Sequence, residues 1–185
     1  MSRHDRWRSP ARCWERVVAW TVVAAVLVAA LGSGLAWLRS IGDDEVVVAD
    51  VVVVLGGGDG ERVALGRELT EQYEVPLVLS SGAILQGWRA GLTCDEPVRC
   101  ELPEPDATRG EARMVAALAE THGWEQVVVT TTRFHVGRTR LLMRQCLDQV
   151  VVLGATDPDP PPLRIWAYGR EAVATLAAVS VHRAC

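Results

Sequence analysis

The chain has 185 residues, 19 Arg with no Lys, 23 acidic residues, no Asn, and a net charge of −4. Without Lys there is no Schiff-base lysine and no Walker-type phosphate loop, and without Asn there is no N-glycosylation site. The charge is divided: residues 1–42 carry six Arg against Asp5 and Glu15, the rest 13 Arg against 21 acids, and an acidic globular part argues against nucleic-acid binding.

The first predicted element is an apolar run. Val17 to Leu38 holds no charged residue over 22 positions and is bracketed by Arg16 and Arg39. As a helix that length spans a hydrocarbon core. Arg3, Arg6, Arg8, Arg12 and Arg16 precede it, which predicts a cytoplasmic tail over 1–16 and an extracytoplasmic domain beyond. A single-pass signal anchor over 17–38 at the plasma membrane is therefore expected, with a linker over 39–48. Cleavage near Gly34-Leu35-Ala36 is the alternative, although the run exceeds a typical signal-peptide core.

The domain over 49–185 opens on Asp50–Leu55, a β-branched run without alternation. Such a run reads as a strand buried on both faces of a parallel sheet. It stops at Gly56, Gly57 and Gly58, which permit a turn whose N–H groups approach a ligand closely. Helix Glu61–Tyr73, strand Pro76–Ser80 and a long loop over Ile84–Ala107 follow. Loops of that length are uncommon unless they are functional lids or disordered, and a disulfide within this one suggests an ordered lid. Helix Thr108–His122, strand Gln126–Thr131, helix Val136–Cys146 and strand Val150–Leu153 come next. Asp157–Pro162 reads as a rigid surface loop, Leu163–Tyr168 as an edge strand and Glu171–Arg183 as a closing helix. Alternating strands and helices predict an α/β fold, a three-layer α/β/α Rossmann-like domain with a mainly parallel sheet.

Five cysteines divide at the apolar run. Cys13 precedes it. Cys94, Cys100, Cys146 and Cys185 follow it, an even number suited to an oxidising compartment. Cys94 and Cys100 bracket a short polar loop and are expected to pair, which leaves Cys146 for Cys185. The alternative, a metal site, lacks Cys-x-x-Cys spacing.

Three polar clusters end three predicted strands: Gly56-Gly57-Gly58, Ser80-Ser81-Gly82 and Thr131-Thr132-Arg133-Phe134-His135. In open α/β sheets, ligands sit outside the carboxyl ends of the strands. Arg109 and Glu111 begin the helix after the long loop and belong to the same edge. Arg62 and Arg138 fall in first turns of helices, where the dipole favours anions. Asp50 and Glu111 are the acids available as oxygen ligands, too few to argue for a metal.

At these residues the segment 50–153 resembles the YdcF/SanA/ElyC-type family, the domain of unknown function 218. The matching motifs are Asp50 to Gly58 followed by Arg62; Ser81-Gly82-Ala83 for Ser-Gly-Gly; Thr108-Arg109-Gly110-Glu111-Ala112 for Thr-x-x-Asn-Ala; and Thr130-Thr131-Thr132-Arg133-Phe134-His135, then Arg138, for Val-Thr-Ser-x-Phe-His-x-x-Arg. Ala83, Thr132 and Glu111 depart from the pattern, and Glu111 exchanges an amide for a carboxylate. The N-terminal anchor resembles the SanA-type branch, which is linked to cell-envelope integrity.

The resemblance implies a membrane-anchored protein of envelope biogenesis with a site for a phosphorylated or nucleotide-like ligand, such as a lipid-linked precursor. Gly56, Gly57, Gly58 and Arg62 are expected to hold its anionic part, with Ser81, Gly82, Thr108, Thr131, Thr132 and Arg138 around it. His135 is the expected general acid or base, with Glu111 as a second candidate. Hydrolysis or transfer of a phosphoester or diphosphate fits this set, and no cofactor is indicated. A non-catalytic binding or scaffold protein is the alternative.

Overall fold

The structure, a computed structural model, describes residues 14–28, 44–46, 48–58, 60–156, 161–180 and 184–185. The chain divides into two compact units, residues 1–40 and 41–185. In the first, residues 14–28 form a helix (α1) whose side chains are exposed, Trp14 and Trp20 among them. Residues 29–38 of the predicted anchor lie outside the described residues. Among the described residues, no helix is long and apolar enough to cross a membrane.

The second unit contains β1 (Val51–Val54), α2 (Glu61–Tyr73), β2 (Leu77–Ser80), α3 (Ser81–Arg89), β3 (Val98–Glu101), α4 (Thr108–His122), β4 (Val127–Thr132), a 3-10 turn over Arg133–His135, α5 (Val136–Met143), β5 (Val150–Ala155) and α6 (Pro161–Ser180). The five strands are ordered β3-β2-β1-β4-β5, and every pair is parallel. The expected Rossmann-like α/β architecture is thus present. From β1 the chain runs outward through β2 to β3, and α4 carries it back to β4 on the other side. The gap between β1 and β4 is the topological switch point of the sheet.

The valine run explains why β1 lies at the centre. Successive side chains of a strand point to opposite faces. Val51, Val53 and Leu55 pack with Ala112, Val115 and Ala119 of α4 and with Val136, Leu142 and Met143 of α5. Val52 and Val54 pack with Val63 and Leu69 of α2 and with Ala83 of α3. A strand with apolar cores on both faces requires an apolar residue at every position, and all four valines are fully buried.

The folded unit reaches back into the predicted linker. Asp44 Oδ2 accepts hydrogen bonds from Arg140 Nε and Val152 N, both at 3.0 Å. Tyr73 Oη donates to the Val46 carbonyl at 3.0 Å.

Three expectations are corrected. The long loop predicted over 84–107 contains most of α3 and all of β3. Strand β3 reads Val-Arg-Cys-Glu and is half-buried at the sheet edge, so it shows no apolar run. Helix α3 carries glycines at its second and seventh positions, which weaken a helical reading. The edge strand predicted over 163–168 is instead part of α6. Pro161 and Pro162 occupy its first turn, where a missing N–H costs nothing and the fixed φ suits a helix. Helix α5 ends at Met143, short of the predicted Cys146. Residues 157–160 of the predicted surface loop lie outside the described residues.

Both expected disulfides are present, Cys94–Cys100 and Cys146–Cys185. The first closes the turn before β3. The second fastens the segment after α6 to the end of α5, where Ala184 N also donates to Gln145 Oε1 at 2.7 Å. The bridges span 6 and 39 residues, and loop-closure entropy makes the longer one the stronger constraint, roughly 4 against 2 kcal/mol. Replacing Cys146 and Cys185 by Ala is therefore expected to cost about twice as much unfolding free energy as replacing Cys94 and Cys100, measured by urea denaturation.

Candidate functional site

The parallel sheet brings the ends of β1, β2 and β4 to one edge, as the sequence analysis expects. The glycine turn after β1 is built by close backbone approach. A Cβ on Gly56 would lie 3.1 Å from Gly82 N, and one on Gly82 would lie 2.9 Å from Gly57 N. Gly57 and Gly58 have φ of 97° and 77°, a region that side chains disfavour. The first two clusters thus meet through glycines because nothing larger fits between their backbones.

Two buried charged residues close this turn from opposite faces of the sheet. Glu111, from the first turn of α4, accepts the Gly56 N–H at 2.8 Å and the Ser80 hydroxyl at 2.7 Å. Arg62, from α2, donates from Nε to Thr132 Oγ1 at 2.7 Å. Its Nη1 donates to the carbonyls of Leu55 and Gly56. The Thr130 hydroxyl donates to the Arg62 carbonyl at 3.1 Å. Arg62 therefore bridges the end of β1 to the end of β4 across the switch point. Burial pushes its pKa down to about 10, with Glu111 the largest opposing influence, so the guanidinium stays charged at neutral pH.

A second polar group lies at the end of β4. His135 Nδ1 is 2.8 Å from Glu171 Oε2. Glu171, on α6, is 5% exposed. Arg138 donates from Nε to Glu171 Oε1 and from Nη1 to the Thr108 hydroxyl at 3.1 Å. Arg138 Nη2 lies 3.2 Å from His135 Nδ1. Phe134 packs against both the His135 ring and Tyr168. Burial lowers the His135 pKa, Glu171 opposes the shift, and Arg62 and Arg138 add to it. The Glu171 carboxyl is also held low. Its hydrogen bonds to His135 and Arg138 outweigh its burial, so it is ionised at neutral pH. Beside Arg138 opens a cleft of about 350 Å³, lined by Thr108, Arg109, Leu142, Ala174 and Ala178.

The remaining expected residues fall as follows. Ser81 opens α3 and donates to Asp106 Oδ1 at 2.6 Å on the exposed rim. Thr131 is buried within β4. Asp50 and Glu111 lie at opposite ends of β1. Asp50 Oδ2 accepts the backbone N–H groups of Glu125 and Gln126 at 2.7 and 2.8 Å. Among the described residues, no group of three His, Cys, Asp or Glu is placed to hold a metal ion.

Sequence reasoning missed Glu171 and Asp106, and it named Ser80 and Thr130 only within their clusters, without a site role. Glu171 falls ten residues into a helix whose first half reads as a strand. Ser80 ends β2 and donates to buried Glu111, whereas Ser81 opens α3 and donates to Asp106 on the rim.

No protein-family model matches this chain, and no curated protein matches it.

The two shifts at the His135–Glu171 contact have the same sign for stability. His135 has a folded pKa below 6.5, so its contribution is complete above that pH and is lost as pH falls through the folded value. Glu171 has a folded pKa below 4.5 and loses its contribution further into acid. The melting temperature is therefore expected to fall as pH drops below about 6.5. In His135→Gln the decline between roughly pH 6.5 and 4.5 is expected to be shallower, as followed by thermal denaturation across pH.

Proposed function

We propose that this chain is a membrane-anchored protein of the YdcF/SanA/ElyC type that acts in cell-envelope biogenesis or integrity. Its strand-end site takes a phosphorylated or nucleotide-like ligand, with hydrolysis or transfer of a phosphoester or diphosphate as the reaction class. The observation that carries the reading is the joining of His135, Glu171, Arg138 and Thr108 beside the 350 Å³ cleft. The cleft takes Thr108 and Arg138 from the first turns of α4 and α5, helices that leave the carboxyl edge of a parallel sheet with a switch point, the edge at which such folds bind ligands.

The anchor part of the proposal rests on the uncharged run 17–38 and the Arg-rich segment before it. With the N-terminus cytoplasmic, the domain is extracytoplasmic, and both disulfides suit that compartment.

Within the site the residues divide by whether they line the cleft. Arg62 and the Gly56 N–H are engaged by the protein itself. A phosphate-type anion is then met by Arg138 and Thr108, which line the cleft while bonded to Glu171 and to each other, with Gly57 and Gly58 at the turn after β1. His135 supplies acid–base chemistry, since a neutral imidazole is available near neutral pH.

A second reading, a non-catalytic envelope scaffold, has its own support. Arg138 and Glu171 satisfy each other within the fold, and buried ion pairs are often purely structural. The two readings separate on His135→Ala, which the scaffold tolerates and the enzyme does not.

The direct test is a thermal-shift series on the full chain in detergent with nucleotides, nucleotide sugars, prenyl phosphates and inorganic pyrophosphate. A ligand at a hundredfold excess over its Kd is expected to add about 2.7 kcal/mol, or roughly 5–10 °C. Arg138→Gln, compared with its own unliganded melting temperature, is expected to lose most of that rise. No rise with any of these compounds would remove the phosphorylated-ligand reading.

A further inference from the structure

A neutral imidazole carries one N–H and one lone pair, and the partner of one nitrogen decides the role of the other. Glu171 is ionised and can only accept. The 2.8 Å approach of its Oε2 to His135 Nδ1 therefore requires the proton on Nδ1. The carboxylate is itself fixed, since its other oxygen accepts from Arg138 Nε, and Arg138 is tied in turn to Thr108 on α4. Three elements thus converge on the ring: α4 and α5 through Arg138, and α6 through Glu171.

We propose that Glu171 is a positioning residue that holds His135 in the Nδ1–H tautomer and so makes its Nε2 the proton acceptor of the strand-end site. This rests on the reading that the strand-end cluster is the functional site. It narrows His135 from acid or base to base. The proton it takes comes from a hydroxyl of the ligand or from water. The O–H bond breaks, an Nε2–H bond forms, and the imidazolium charge is met by the Glu171 carboxylate.

The charged groups that act on the ring are Glu171 from α6, Arg138 from α5 and Arg62 from α2. The two cations disfavour an imidazolium at rest, and the carboxylate supports one once the proton arrives. The segment after α6 is fastened to the end of α5 by the Cys146–Cys185 bridge, and Arg113 Nε donates to the Ala184 carbonyl beside it.

Arg138 makes the proposal sharp. Its Nη2 lies 3.2 Å from His135 Nδ1 and can only donate. With the carboxylate gone, the nearest partner of Nδ1 is a donor, and the proton has to move to Nε2. Removing Glu171 should therefore reverse the tautomer rather than merely loosen it.

The experiment is a long-range 1H–15N spectrum of histidine side chains in the full chain, labelled at histidine and held in detergent micelles near pH 7.5. The chain has four histidines, and the His135 signals are assigned by their loss in His135→Gln. The expected result is an Nδ1–H, Nε2-bare ring in the parent and an Nε2–H ring in Glu171→Ala. Arg138→Ala, which leaves the carboxylate, should keep the parent pattern. An Nε2–H ring in the parent overturns the proposal, and that measurement stands even if no variant folds. An Nδ1–H ring that persists in folded Glu171→Ala overturns it as well. Failure of every phosphorylated compound to bind would leave these spectra unchanged, so the two proposals fail separately.

Discussion

The strand-end structure depends on a guanidinium buried at the switch point of the sheet. Arg62 is 5% exposed, and taking a charge out of water costs several kcal/mol unless its hydrogen bonds are replaced. They are replaced by Thr132 Oγ1 and by the carbonyls of Leu55 and Gly56. These acceptors come from the ends of the two neighbouring strands that diverge in topology. A parallel sheet leaves its terminal carbonyls without ladder partners there, and the cation supplies donors where the ladder stops. The same contacts hold the glycine turn in its left-handed conformation, because the guanidinium lies against Gly57.

Glu111 completes this framework from the opposite face. It takes the Gly56 N–H and the Ser80 hydroxyl, so a protein carboxylate occupies a position where glycine-rich turns commonly hold a ligand phosphate. The family pattern that this segment resembles has Asn at the Glu111 position. An amide there brings no charge, whereas the carboxylate acts on Arg62 and offsets part of the effect of its burial. The consequence is a division of labour. Arg62 and Glu111 shape the edge, and Arg138 and Thr108, rather than these two, line the cleft.

What was legible in the sequence follows from local signals. The run Val51–Val54 reads as a doubly covered strand, and α2 and α4 match their predicted bounds, with Gly60 ahead of α2 and Gly123 behind α4. The pairing of the four cysteines was legible because proximity in the chain left one economical arrangement. The strand-end clusters were legible because parallel topology places all such ends together. What was hidden depends on partners distant in the chain. Strand β3 is set by pairing to β2 over Leu77–Ser80, not by its own apolar content. Glu171 is one acid in an amphipathic helix until α6 packs against the turn at Arg133–His135. The internal engagement of Arg62 was equally invisible, since an Arg in a first turn after a glycine run looks the same whether it faces solvent or carbonyls.

Arg62 is thus a framework residue whose hydrogen bonds hold the ends of β1 and β4 together at the switch point. The most direct measurement is the unfolding free energy of Arg62→Met by chemical denaturation, since Met keeps the length of the side chain and removes its donors. A loss of roughly 2–5 kcal/mol is expected, the cost of leaving buried acceptors without partners. A variant within about 0.5 kcal/mol of the parent, the range of an ordinary surface substitution, would contradict it.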